Sequence, residues 1–141
     1  MYSVEEFDRE KTKILKYIMY KKRTENEIRN KFKLTIEENL LEDVIDYLKE
    51  TGYINDYNYI ERFVNECMAL KNLSIKELKY KLYSKGINRN ILDEYIKNNY
   101  EELEEYERKS AQNIKLKKQN SMNEEEIKIY LLKKGYKGDN I

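Results

Sequence analysis

Histidine and proline are absent from this 141-residue chain, cysteine occurs once and glycine four times. Without histidine, the usual general base and the commonest transition-metal ligand are missing. A single cysteine forms no internal disulfide and fits a reducing cytoplasm. Cys67 lies on an apolar helical stripe with no histidine to activate it, so it reads as a small buried hydrophobe rather than a nucleophile. The few glycines build no phosphate-cradling loop and sit where helices should stop. No apolar run approaches the ~20 residues that span a bilayer, and no basic-then-apolar leader follows Met1. Carboxylate pairs such as Glu37–Glu38 fall at expected helix starts, where the helix dipole accounts for them. The expectation is a soluble, cytoplasmic protein that is not an enzyme and needs no cofactor or metal.

What is present is charge and helical periodicity. Charged residues make up 39% of the chain, and strong helix formers alternate with apolar ones. That combination predicts an all-α protein. Phe7, Ile14, Leu15, Ile18 and Met19 form a first stripe. Thr24-Glu-Asn-Glu27 reads as a capping box opening a short helix that buries Ile28 and Phe32. Thr35 is placed to cap a third helix whose inner stripe is Leu40, Leu41, Val44, Ile45 and Leu48. Gly52 supplies its left-handed end, Tyr53 and Ile54 turn back onto the core, and Asp56 caps the next helix.

The pattern then recurs. Ile60, Phe63, Val64, Cys67 and Met68 share a face. Ser74 to Glu77 is a second capping box, followed by Leu78, Leu82 and a terminating Gly86 with Ile87 turning inward. Asn88 or Asn90 caps a helix carrying Ile91, Leu92, Tyr95 and Ile96. A third pass brings Leu103, Ser110, Ala111 and Ile114, a capping pattern from Asn123 to Glu126, then Ile127, Leu131 and Gly135. Thr24, Ser74 and Asn123 recur about every 50 residues, the mark of stacked helical repeats. The fold expected is an elongated array of tandem three-helix, helix-turn-helix-like units. They span residues 1–55, 56–100 and 101–141, the third without its last helix.

The formal net charge is only +1, which argues against a bulk neutraliser of nucleic acid. The charge is segregated, however: residues 9–33, 71–89 and 108–118 are basic, whereas Glu37–Glu38, Glu42–Asp43 and residues 101–107 are acidic. Leu78 and Leu82 face inward, so Lys79, Lys81 and Lys85 should point elsewhere, with Lys76 at the first turn. Arg29 and Lys31 hold comparable places in the first unit, and Lys128, Lys133 and Lys134 in the third. Stacking could align these nine into a basic stripe facing an acidic protein surface or DNA phosphates. Tyr80, Tyr83 and Tyr130 are interleaved with them, as suits an interface; core-edge packing would explain them too.

Together these residues resemble the RecX family, bacterial regulators of the recombinase RecA. The resemblance is carried by Arg23-Thr-Glu-Asn-Glu-Ile28, by Gly52-Tyr-Ile-Asn-Asp56 with Tyr59-Ile-Glu-Arg-Phe-Val64, and by Lys76-Glu-Leu-Lys-Tyr-Lys-Leu82 leading to Lys85-Gly-Ile87. Lys133-Lys-Gly-Tyr136 echoes the last of these. The resemblance implies binding to RecA and to RecA–single-stranded DNA filaments, with modulation, chiefly inhibition, of recombinase activity in DNA repair, recombination and the SOS response. The chain is expected to be a monomer that touches no membrane, and its near-zero net charge allows only weak direct DNA binding. The alternatives are a non-specific DNA-binding helical protein, since short helices about a turn imitate a helix-turn-helix, and a helical scaffold for another protein.

Overall fold

The computed structural model describes all residues, Met1–Ile141. It contains eight α-helices, one terminal 3-10 turn and no strand. Its residues group into two compact bodies, 1–59 with 85–87 and 60–84 with 88–141.

In the first body α1 (Val4–Tyr20), α2 (Glu25–Phe32) and α3 (Glu38–Glu50) enclose Ile14, Ile18, Ile28, Phe32, Leu41, Val44, Ile45 and Leu48. Apolar burial of this kind stabilises by about 1.5–3 kcal/mol per side chain, so these positions carry the body. Thr24 and Glu27 form the reciprocal capping box at the start of α2. Gly52 adopts φ +84°, the left-handed end that a residue with a Cβ resists.

Four local expectations are corrected. Glu37, not Thr35, caps α3: its carboxylate accepts from the amides of Asn39 and Leu40 at 3.1 and 3.0 Å, while the Thr35 hydroxyl donates to the Phe32 carbonyl. A glutamate reaches this role because two free amides face its two oxygens. Asn55, not Asp56, caps α4 (Asp56–Leu70), accepting from the Asn58 amide at 2.9 Å. Asp56 instead accepts from the Glu25 amide at 2.9 Å, and its burial pushes its carboxyl above the ordinary range. Tyr53 is 54% exposed, so Ile54 alone turns inward. Met19, 79% exposed, follows Ile18 by one helical step of 100° and leaves the core face.

The second body holds the remainder of α4, then α5 (Ile75–Ser84), α6 (Arg89–Asn98), α7 (Tyr100–Lys118) and α8 (Glu124–Lys133), ending in the 3-10 turn Gly138–Asn140. Val64, Cys67, Leu78, Leu82, Leu92 and Leu103 are buried. Burial also pushes the Cys67 thiol up, away from the reactive thiolate. Asn88 caps α6 through the Asn90 amide. A separate cluster of Ala111, Ile127, Leu131 and Tyr136 joins α7 to α8.

One joint occurs twice. In the first body the Thr24 hydroxyl accepts from the Glu27 amide and donates to the Lys85 carbonyl at 3.0 Å. In the second the Ser74 hydroxyl accepts from the Glu77 amide and donates to the Lys134 carbonyl at 2.7 Å. A left-handed glycine follows each carbonyl, Gly86 at φ +78° and Gly135 at φ +96°. A Cβ on Gly86 would meet the Asn26 side chain at 2.2 Å, and one on Gly135 would meet Lys76 Cβ at 2.8 Å. Thr24 and Ser74 are wholly buried. The recurring cap therefore also ties a short helix to the turn that ends the corresponding helix one period later.

Candidate partner-binding surface

In the second body this joint brings α5 against the end of α8. Lys76, Tyr80, Lys81 and Ser84 of α5, with Lys134, line one open depression of about 440 Å³. Positions 76, 80, 81 and 84 recur at helical spacing, which is why they share a side. The Lys134 ammonium lies 5.6 Å from the Tyr130 ring centroid and that of Lys118 lies 4.4 Å from it, both in cation–π range. The one carboxylate in the depression, Glu77, already accepts from the Ser74 amide at 3.0 Å. Several cations, two tyrosines and one engaged carboxylate form a surface suited to anionic groups.

The start of α5 is fixed from α7. Glu107 is 1% exposed. One of its oxygens accepts from the Ile75 amide at 2.8 Å; the other accepts from Asn140 Nδ2 at 2.5 Å and the Lys137 amide at 3.3 Å. The Tyr106 hydroxyl accepts from the Leu73 amide at 3.0 Å and donates to the Lys71 carbonyl at 2.7 Å. Glu104 ion-pairs with Lys137 and accepts from Asn140. Burial alone would raise the Glu104 carboxyl, but hydrogen bonds from Lys137, Tyr100 and Asn140 outweigh it and hold it at about 2. The acidic run 101–107 is thus in part an interior anchor rather than a solvated face.

Within the second body, the basic residues singled out in the sequence divide between surfaces. Lys76, Lys81 and Lys134 converge as described. Lys79 is two residues from Lys81, about 200° around the helix, and borders the apolar core beside Val64 and Leu92. Lys128 borders a different groove with Gln112, Lys115 and Glu124, and Lys133 is exposed. In the first body Lys85 is hydrogen-bonded with Tyr59, and Lys31 lies 5.8 Å from the Tyr17 ring centroid. Arg29 is held by carboxylates: its Nη atoms meet Glu42 at 2.5 and 2.9 Å and its Nε meets Glu25 at 3.1 Å. Hydrogen bonding to Glu42 raises the guanidinium pKa further and lowers that of Glu42. The sequence reading did not single out Lys118, whose signal is its place at the end of α7, immediately before the break into α8. No three Cys, Asp or Glu side chains are grouped to hold a metal ion. No helix is long and apolar enough to cross a membrane.

An all-α chain with a repeated cap-and-glycine joint and an open basic surface belongs to the class of helical-repeat proteins. No family model matches it. The regulatory protein RecX of Clostridium beijerinckii is 33% identical over 142 residues, covering 94% of this chain and 64% of that protein. That of Finegoldia magna is 37% identical over 83 residues, covering 58% of this chain and 40% of that protein. Among solved structures, RecX from Lactobacillus salivarius superposes with a TM-score of 0.81 at 25% identity, covering 98% of this chain and 93% of that one. The chain belongs to the RecX family. It spans less than two thirds of the length of these two curated relatives.

Proposed function

We propose that this chain binds RecA and RecA–single-stranded DNA filaments and restrains recombinase activity in DNA repair and recombination. Membership of a family of regulatory proteins carries the reading, and the Lys76–Lys81–Lys134 surface with Tyr80 and Tyr130 is the contact we assign to it. Tyrosines are enriched in specific interfaces, and exposed cations around them steer an acidic partner into place. In this reading the chain is a monomeric cytoplasmic binding module of three repeats, 1–55, 56–100 and 101–141, without catalysis of its own. Lys79, Lys85, Lys128 and Lys133 contribute long-range attraction rather than direct contact, and Arg29 is structural.

The test is co-sedimentation with RecA filaments on single-stranded DNA, run beside the same DNA without RecA. The expected result is binding to the filament, weakened at least tenfold by joint Lys76→Glu, Lys81→Glu and Lys134→Glu changes. Binding to naked DNA alone, with a steep salt dependence, would establish the DNA-binding alternative. Binding to neither would leave the scaffold reading.

A further inference from the structure

A second charged cluster lies in the first body. Residues 16–33 hold seven Lys and Arg against two Glu, a local excess of five in a chain whose whole excess is one. The cluster centres on Tyr17. The Arg23 guanidinium lies 4.1 Å from its ring centroid and the Lys31 ammonium 5.8 Å, while the ring's position is fixed by edge contact with Phe32 at 5.5 Å between centroids. Neither cation has a carboxylate within ion-pair distance. Arg23 Nε is buried with no hydrogen-bond partner. A buried donor left without an acceptor is unfavourable, and two like charges on one ring repel. An anion resting between Arg23 and Lys31 would relieve both costs.

The surroundings decide which anion. At the same end of α1, Met19 is 79% exposed and Tyr20 is 87% exposed; Leu34, just beyond α2, is 90% exposed. Met19 and Leu34 contribute nothing to holding phosphates, whereas exposed apolar residues beside arginine are the composition of protein interfaces. Glu25 is paired with Arg29 and Lys49, and Glu27 accepts from the Thr24 amide, so both carboxylates at the start of α2 are already engaged.

We infer that the Tyr17–Arg23–Lys31 cluster is a docking site for a protein segment that alternates acidic and apolar residues. One carboxylate bridges Arg23 and Lys31, and the neighbouring apolar side chains cover Met19 and Tyr20. The assignment goes beyond the RecA reading, and its test contains no RecA, so either can fail alone.

The test titrates the full chain into three labelled probes: a peptide of alternating Glu and Leu, the same peptide with Gln for Glu, and single-stranded oligo-dT. The Glu–Leu peptide is expected to bind at least tenfold more tightly than either other probe. The Arg23→Gln, Lys31→Gln double variant should lose at least tenfold of that affinity with unchanged helical circular dichroism. Lys31 is exposed, so Lys31→Gln alone provides a variant that folds. On the unaltered protein, the Arg23 Nε–H resonance should shift when the peptide is added. Tighter binding of oligo-dT, equal binding of the Gln peptide, or an unmoved Arg23 resonance at peptide saturation would each overturn the assignment.

Discussion

Glu107→Ala is the most informative perturbation of the second body. The substitution removes an acceptor that is 1% exposed and used by three donors: the Ile75 amide, the Lys137 amide and Asn140 Nδ2. A buried donor deprived of its acceptor costs about 1–3 kcal/mol. Asn140 keeps its bond to Glu104 and so loses less. Water entering beside Lys137 recovers part of the rest, giving a net loss of about 3–4 kcal/mol. Against a typical total of about 5–15 kcal/mol this is large. At about 3 °C per kcal/mol for a chain of this size, it lowers the Tm by about 10 °C. Glu107→Gln keeps the volume and one oxygen but turns an N–H toward one set of donors, so about 2 kcal/mol is expected. The assay is urea unfolding followed by circular dichroism, with amide hydrogen exchange to localise the loss. Ile75 and Lys137 should lose protection, while the Glu27 amide, capped in the first body, should not. A Glu107→Ala loss below 1 kcal/mol, or equal loss of protection at Glu27, would refute the placement of Glu107 as an interior anchor.

Four further outcomes are expected. Thr24→Val should cost about 1–3 kcal/mol and Thr24→Ser much less, because the hydroxyl both caps α2 and donates to Lys85; urea midpoints would show the difference. Gly52→Ala should cost only the left-handed strain of about 1–2 kcal/mol, since no atom lies within 4 Å of the new Cβ. Gly135→Ala should cost more than Gly52→Ala, since there Lys76 Cβ stands at 2.8 Å; thermal melts of the pair check the order. Glu104 has its carboxyl lowered from 4.5 to about 2, so it contributes stability above pH 4.5 that is lost as pH falls toward 2. Glu104→Gln should flatten the stability profile across that window while leaving its shape above pH 5 unchanged.

What the sequence showed clearly was local. Thr24, Ser74 and Asn123 were legible as caps because a capping box is completed within four residues. Gly52, Gly86 and Gly135 were legible as terminators because the left-handed end is a property of one residue. The donations of Thr24 to Lys85 and of Ser74 to Lys134 were not, since a hydroxyl's second bond crosses about 60 residues and leaves no trace in local spacing. Glu107 could have been found: it sits four residues after Leu103 and three or four before Ser110 and Ala111, in register with the apolar stripe of α7. Reading residues 101–107 only as an acidic run hid that register. The basic stripe was drawn from equivalent repeat positions without applying the 100° step inside each helix, and the separation of Lys79 from Lys81 follows from that step.

The double duty of Thr24 and Ser74 constrains how such a chain can change. A serine or threonine performs both tasks with one oxygen, whereas aspartate keeps the cap but has no hydrogen to give. Start of helix and attachment of the later turn are therefore inherited together, and a single substitution cannot tune one without the other. At Asn123 an amide oxygen caps α8, and any donation from that side chain would come from a different atom, so there the two tasks would be free to diverge. Lengthening the array by duplication would call for only two features at each new boundary: a hydroxyl at the cap, and a glycine one period later.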